Sequence, residues 1–261
     1  MQERHTDRKK YFNEQVVTTE KYVIPFLHDF VKIDSNLEVL EIGCGEGGNL
    51  KPFLDIGCSV TGVDLAEGKI ENGKKYFEEH PNKQKINLLA EDIYESKNLT
   101  KYDLIIMRDV IEHIHDQNRF MNYVKKYLKP NGKFFLAFPP WHNPFGGHQQ
   151  ICENSVLSIF PYYHILPVSL YKGILKLFGE SDAKIEGLLE IKSTGITIER
   201  FENILKTNEY NIEMRRNYFI NPNYEIKFGL KPRTEVPIIS SIPYFKNFVI
   251  TSAYYLVSNN K

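Results

Sequence analysis

The feature that most constrains the fold is a glycine-rich run, Glu41-Ile-Gly-Cys-Gly-Glu-Gly-Gly48, at the end of a short segment rich in β-branched residues. Glycines there let the backbone turn tightly and let a ligand approach the N-terminus of the following helix. Gly43, Gly45 and Gly48 satisfy the dinucleotide spacing G-x-G-x-x-G, whereas Gly43, Gly45 and Gly47 satisfy G-x-G-x-G. The run therefore predicts a nucleotide-like ligand without deciding which one.

Carboxylates around this run favour a cationic ligand. Glu41 lies two residues before the first glycine, at the carboxyl end of the predicted strand, where open α/β sheets bind their ligands. A carboxylate repels a pyrophosphate and attracts the ammonium and sulfonium groups of S-adenosylmethionine, and Glu46 in the same run adds to that preference. The alternative is a purely structural Glu41 that caps or salt-bridges a local helix.

Two further acidic positions are typical of a nucleoside site. Asp64 ends the second predicted strand, 19 positions after Gly45, where an acid accepts hydrogen bonds from both hydroxyls of a ribose. Asp92 and Ile93 follow the third predicted strand, and a carboxylate beside an apolar side chain suits an adenine ring. These positions support the pocket without choosing between a dinucleotide and S-adenosylmethionine.

Strand and helix patterns alternate about five times between residues 37 and 138, which predicts a parallel sheet with helices on both faces. A helix and two more strands close the chain. The predicted strands cover residues 37–42, 59–64, 86–90, 102–107, 133–138, 210–220 and 248–257.

Changes in this rhythm divide the chain into four parts. The predicted parts are an N-terminal helical cap (1–36), a cofactor-binding α/β core (37–140), an insertion that forms a lid and binds the acceptor (141–196), and the completion of the core (197–261). Aromatic residues of the insertion either line an acceptor site or build the insertion's own small core: Phe160, Tyr162, Tyr163, His164, Tyr171 and Phe178. Loops of this length are often functional.

Five segments occur in an order that resembles the class I S-adenosylmethionine-dependent methyltransferases, and within them the type 11 methyltransferase-domain group. The segments are Val39–Gly47, Gly62–Asp64, Ala90–Ile93, Tyr102–His113 and Leu128–Gly132. The resemblance covers about residues 37–138. It implies a Rossmann-like, doubly wound, seven-stranded sheet with an antiparallel last strand and a helical lid between strands 5 and 6.

The same resemblance implies S-adenosylmethionine as cofactor, with S-adenosylhomocysteine as its product, and a set of residues around it. By that resemblance, the methionine moiety is surrounded by Glu41, Gly43, Cys44, Gly45 and Gly47, ribose and adenine are held by Asp64, Leu65, Asp92 and Ile93, and the pocket is lined after strand 4 by Arg108.

Asp109, Glu112 and His113 follow strand 4 at positions i, i+3 and i+4, which is one face of a helical turn. Similar clusters bind a divalent ion in a few methyltransferases, but three groups on one turn are not a closed coordination set. We therefore predict no metal here.

The segment Pro139–Gln149 leaves strand 5 beside the expected pocket. Its prolines stiffen it, and Trp141 and Phe145 offer flat apolar faces. His148 is the first candidate for a catalytic base and His142 the second. The alternative is a structural turn in which His148 only satisfies local hydrogen bonds.

The chain has 33 Lys and Arg, 33 Asp and Glu, and a formal net charge of 0, which argues against nucleic acid as its main partner. Three widely spaced cysteines and the lack of a long apolar run predict a cytoplasmic protein without a membrane span. We expect a monomer or homodimer that methylates a small or medium-sized, aromatic or apolar acceptor at oxygen. The alternatives are a nicotinamide-dependent oxidoreductase and a non-catalytic cofactor-binding partner protein.

Overall fold

The computed structural model describes residues 7–236 and 242–259. Within these ranges one sheet has eight strands, in the order β3-β2-β1-β4-β5-β8-β6-β7. The strands are β1 (Glu38–Ile42), β2 (Ser59–Asp64), β3 (Ile86–Ala90), β4 (Tyr102–Arg108), β5 (Leu128–Phe138), β6 (Tyr210–Ile220), β7 (Arg233–Thr234) and β8 (Ser252–Asn259).

The first five strands pair with one another in parallel, and β8 runs antiparallel to both β5 and β6. This confirms the predicted doubly wound sheet with an antiparallel last strand. The strand beyond the predicted seven is β7, a two-residue pairing on the outer edge of β6. The chain order reverses between β1 and β4, so the carboxyl ends of these two strands form the crevice in which such sheets bind ligands.

Helices cover both faces of the sheet. They are α1 (Arg8–Thr18), α2 (Ile24–Leu27), α3 (Lys51–Ile56), α4 (Glu67–Tyr76), α5 (Gln117–Val124), α6 (Ser155–Ile159), α7 (Val168–Leu177), α8 (Asp182–Thr194), α9 (Ile198–Thr207), α10 (Asn223–Phe228) and α11 (Lys246–Val249). A one-turn π-helix, Thr19–Val23, joins α1 to α2.

Two hydrophobic layers enclose the sheet. On one face, α5 and α9 bury Phe120 and Phe201 against alternate residues of the central strands. On the other face, α2 and α3 bury Phe26 and Phe53 against the remaining residues. Burial on both faces explains why β4 is apolar almost throughout.

The segment between β5 and α9 has its own small core. Helices α6, α7 and α8 enclose buried side chains that include Cys152, Tyr163, Tyr171 and Leu188. Two of the aromatic residues considered for the acceptor site, Tyr163 and Tyr171, therefore build this local core. A lid function for residues 141–196 stays a prediction.

The predicted N-terminal cap is helical from Arg8 to Leu27, and residues 1–6 of it lie outside the described residues. All three cysteines are buried as free thiols. None of the helices in residues 7–236 and 242–259 has the length and apolar character that crossing a bilayer requires.

Candidate active site

The glycine run forms a turn that only glycine adopts without strain. Gly43, Gly45 and Gly47 have φ angles of 71°, 55° and 81°, in the left-handed region. The amide nitrogens of Gly43 and Cys44 both donate to the Val63 carbonyl oxygen, at 2.8 and 3.1 Å, and so hold the turn against the end of β2. A Cβ on Gly45 would meet only Lys69 Cδ, at 3.8 Å, which leaves room above this residue for a ligand.

Asp64 is fixed at the edge of this turn by two backbone amides. Its Oδ2 accepts from Gly45 N at 2.8 Å, and its Oδ1 accepts from Ala66 N at 2.8 Å. Each carboxylate oxygen has a second lone-pair site. The carboxylate is therefore held in place and can still accept hydrogen bonds from a ribose.

Glu41 is 1% exposed, and its Oε1 accepts from Asn49 Nδ2 at 2.6 Å. Its Oε2 has no hydrogen-bond partner within the described part of the chain. Burial raises the pKa of Glu41 to about 8, against the lowering effects of Asn49 and Arg108. The raised pKa favours the neutral, protonated form of Glu41 at pH 7, unless a cationic group comes to lie beside its unsatisfied oxygen.

Glu46 does not act as the sequence predicted. Its buried carboxylate forms a bidentate ion pair with Arg8, whose Nε and Nη2 donate to the two oxygens at 2.7 and 2.6 Å. Arg8 lies on α1, 38 residues away in the chain. The charge of Glu46 is therefore taken up by the N-terminal helix and does not add to the attraction for a cationic ligand.

A cavity of about 450 Å³ opens at the carboxyl ends of β1, β2 and β4. Seven of the ten predicted cofactor residues line it: Gly43, Gly45, Asp64, Leu65, Asp92, Ile93 and Arg108. The other three, Glu41, Cys44 and Gly47, are not on its wall in the described structure. Cys44 and Gly47 instead pack behind the turn, against Gly62 and Phe77 respectively.

The N-terminal helix supplies wall residues that the sequence did not predict as cofactor residues. Arg8, Tyr11 and Gln15 line the cavity from α1, and Lys69 lines it from α4. Because these contacts join distant parts of the chain, spacing alone could not show them.

Arg108 connects three segments around the cavity. Its Nη1 donates to Asn49 Oδ1 at 2.6 Å and to Thr19 Oγ1 at 3.4 Å, and its Nη2 donates to Asn223 Oδ1 at 2.8 Å. The guanidinium is 8% exposed. It therefore links the glycine-run loop, the N-terminal segment and α10.

A second cavity, of about 410 Å³, adjoins the first. The two share the wall residues Arg8, Tyr11, Lys69, Asp109 and His113. The second cavity is also lined by the loop after β5 and by α10, through Phe145, His148, Asn221, Asn223, Tyr224 and Lys227. It is thus the place where an acceptor would meet the ligand of the first cavity.

The two candidate bases lie in different surroundings. His148 lines the second cavity, and its ring lies edge-on to that of His113, with centroids 4.9 Å apart. His142 stacks on Phe248 at 5.0 Å and is not on the wall of either cavity in the described residues. We therefore retain only His148 as the candidate base.

The acidic cluster after β4 also differs from the predicted helical turn. Asp109 has a φ of 54°, and Glu112 and His113 lie on a single 3-10 turn, Ile111–His113. Possible ligand atoms of Glu112, His113 and His148 all lie within 4.8 Å of one another. The spacing along the chain groups Glu112 with His113 but does not show His148 beside them, because His148 comes from the loop after β5.

Comparison with known proteins agrees with this geometry. The family model described as "Methyltransferase domain" matches residues 16–155, more than half of the chain. The chain belongs to this methyltransferase family. The predicted class I S-adenosylmethionine-dependent methyltransferase and its cofactor are thereby confirmed.

Relatives and solved structures extend the comparison. An enzyme named ubiquinone biosynthesis O-methyltransferase from Rickettsia canadensis is 35% identical over 112 residues, which are 43% of this chain and 47% of the relative. The enzyme of the same name from Pelagibacter ubique is 32% identical over 130 residues, 50% of this chain and 51% of the relative. The chain thus matches about half the length of these curated relatives.

Among solved structures, geranyl diphosphate C-methyltransferase from Streptomyces coelicolor A3(2) has a TM-score of 0.57 at 13% identity and covers 92% of this chain and 79% of its own. Magnesium protoporphyrin IX methyltransferase from Synechocystis PCC 6803, solved with bound S-adenosylhomocysteine, has a TM-score of 0.55 at 16% identity and covers 95% and 84%. At these identities the likeness shows the fold alone.

Proposed function

We propose that this chain transfers a methyl group from S-adenosylmethionine in the first cavity to a hydroxyl oxygen of a small aromatic acceptor in the second. The observation that carries the proposal is the common wall of the two cavities, which brings donor and acceptor side by side. The relatives named O-methyltransferases support oxygen as the methylated atom.

The chain's own residues suit the donor. We assign the ribose hydroxyls to Asp64, the adenine edge and face to Asp92 and Ile93, and the methionine amino group to the side of the turn nearest Glu41. When bound, S-adenosylmethionine supplies an electrophilic methyl group on a sulfonium. The protein then contributes mainly orientation and the exclusion of water, because charge disappears as the nucleophile meets the methyl group.

The acceptor site is more polar than the sequence suggested. Tyr11, Phe145 and Tyr224 offer aromatic faces, while Lys69 and Lys227 bring cationic groups to the same wall. An aromatic ring that carries a hydroxyl group and a second polar substituent suits such a mixture better than a purely apolar acceptor. His148 is placed to receive the hydroxyl proton as the new O–C bond forms and the S–C bond breaks.

Binding and turnover test the proposal separately. Calorimetry should show S-adenosylhomocysteine bound with one-to-one stoichiometry and no comparable binding of NAD. A panel of phenols and catechols should then yield a methylated product. Binding of NAD in place of S-adenosylhomocysteine would refute the donor assignment, and a bound donor with no turnover on any hydroxyl acceptor would favour the non-catalytic alternative.

The base is tested by replacing one histidine at a time. His148→Ala should lower kcat by about 100-fold or more while the affinity for S-adenosylhomocysteine stays unchanged, because general-base catalysis contributes about 10²–10⁴-fold. His142→Ala, a replacement in the same loop, is the matched control and should retain turnover. An unchanged kcat in His148→Ala would show that His148 is not the base.

We also still expect the protein to be a monomer or homodimer in the cytoplasm, without nucleic acid as its partner.

A further inference from the structure

Three side chains with metal-binding atoms converge at the wall of the second cavity. Glu112 and His113 come from the 3-10 turn after β4, and His148 comes from the loop after β5. One ligand atom from each lies within 4.8 Å of the others. Two separate segments of the chain thus contribute to one group, which the sequence pattern on a single turn did not show.

Glu112 has no structural explanation among its neighbours. Glu112 is only 3% exposed, and neither of its carboxylate oxygens receives a hydrogen bond from another described residue. Buried carboxyl groups in folded proteins are normally paired, hydrogen-bonded or bound to a metal. A ring nitrogen of His113 and one of His148 each lie within 4.8 Å of a Glu112 carboxylate oxygen.

The donor set indicates the class of ion. Two imidazole nitrogens and one carboxylate oxygen suit zinc and the divalent ions of manganese, iron and cobalt, whereas magnesium and calcium prefer sites built from oxygen alone. Three protein ligands leave at least one coordination position open. All three residues line the second cavity, so that open position would face the acceptor.

We propose that Glu112, His113 and His148 bind a divalent transition-metal ion whose open coordination position takes the acceptor hydroxyl. The binding of the ion stands on the geometry of these residues, while its role in methylation rests on the proposed function. On coordination the hydroxyl would lose its proton to water, and its oxygen would then form the bond to the methyl carbon as the S–C bond of S-adenosylmethionine breaks and its electron pair returns to sulfur. His148 would in this case act on the acceptor as a ligand of the ion, in place of a direct base.

Metal binding can be measured without donor or acceptor. The full chain, first freed of metal with a chelator, should bind one equivalent of Zn²⁺ in calorimetry and one of Mn²⁺ in electron paramagnetic resonance, with Mg²⁺ at least about tenfold weaker. Glu112→Gln and His148→Asn should each weaken Zn²⁺ binding by at least about tenfold, since even the partners of metal ligands contribute 10–100-fold. Because His148 lies in a loop, the His148→Asn variant still tests the site if the buried Glu112→Gln change prevents folding.

His28→Gln is the matched control, because this exposed histidine lines neither of the two cavities described above, and the Zn²⁺ binding of this variant should equal that of the unchanged chain. No stoichiometric binding of Zn²⁺ or Mn²⁺, or equal affinity in Glu112→Gln, His148→Asn and the control, would overturn the proposed site. Full methyl transfer in excess chelator would overturn the role of the ion and leave the proposed function intact. A metal bound by these three residues in a chain that binds no S-adenosylhomocysteine would instead refute the proposed function and support the site.

Discussion

His164 makes the stability of the loop after β5 dependent on pH. Its ring is fully buried, with Nε2 2.8 Å from the Trp141 carbonyl oxygen and Nδ1 3.5 Å from Gln149 Nε2. The first nitrogen donates and the second accepts, which is the pattern of a neutral imidazole. The pKa of His164 is lowered to about 4, chiefly by burial and to a smaller extent by the charges of Lys192 and His142, against the raising effect of the hydrogen bond to Trp141.

The direction and size of the effect follow from these values. Between pH 6.5 and pH 4 the unfolded chain binds a proton at His164 and the folded chain does not, so folding stability falls as the pH falls through this range. At about 1.4 kcal/mol per pH unit, the difference between 6.5 and about 4 corresponds to about 3 kcal/mol. The contribution is fully present above pH 6.5.

Urea denaturation followed by circular dichroism, at intervals from pH 7 to pH 4.5, measures this effect. The free energy of unfolding should fall more steeply in the unchanged chain than in His164→Gln, by about 2 kcal/mol or more over this range. Carboxyl groups titrate in both proteins, and their contribution cancels in the comparison. His28→Gln, an exposed control, should follow the unchanged chain. Equal slopes in the unchanged chain and His164→Gln would refute the argument.

The other predictions concern the cofactor site and two glycines. Asp64→Ala should weaken S-adenosylhomocysteine binding by at least about tenfold in calorimetry, because the change removes the carboxylate that we propose accepts both ribose hydroxyls; unchanged affinity would show that the ligand lies elsewhere. Gly195→Ala should lower the free energy of unfolding by about 1–3 kcal/mol, since its Cβ would lie 2.5 Å from the Trp141 ring. Gly173 lies within α7, and a Cβ added to it would meet no atom of the described residues within 4 Å, so Gly173→Ala should raise the free energy of unfolding by up to about 1 kcal/mol. A loss of stability in Gly173→Ala would show that the clash with Trp141 is not needed to explain the loss in Gly195→Ala.

Much of the sheet could be predicted because its central strands, such as β1 and β4, are buried on both faces. Such strands are short apolar runs between turn residues, so β1 and β4 begin and end within one residue of their predicted bounds. The last strand was placed too early, at 248–257 against Ser252–Asn259, because the apolar residues of α11 directly precede it. The resemblance implies a helical lid in this stretch, but the residue pattern does not locate helices α6 to α8, since Pro, Gly and aromatic residues interrupt any regular period there.

The candidate site could be predicted only where its residues stand at the ends of strands, because the topology of the sheet alone brings strand ends together. Asp64, Asp92 and Ile93 are residues of this kind. The pairing of Arg8 with Glu46 and the approach of His148 to His113 join residues that are 38 and 35 positions apart. No pattern in the sequence shows such contacts, because they depend on how the N-terminal helix and the loop after β5 fold back over the sheet.

The hydrogen bonds of the Arg108 guanidinium limit how the second cavity can be redesigned. Removing Asn223 to enlarge the cavity would deprive a buried guanidinium of one of its three acceptors, and an engineered variant would lose stability for the space it gained. Tyr224 and Lys227 line the same cavity on α10, and replacing them leaves these three acceptors of Arg108 in place while changing the shape of the wall.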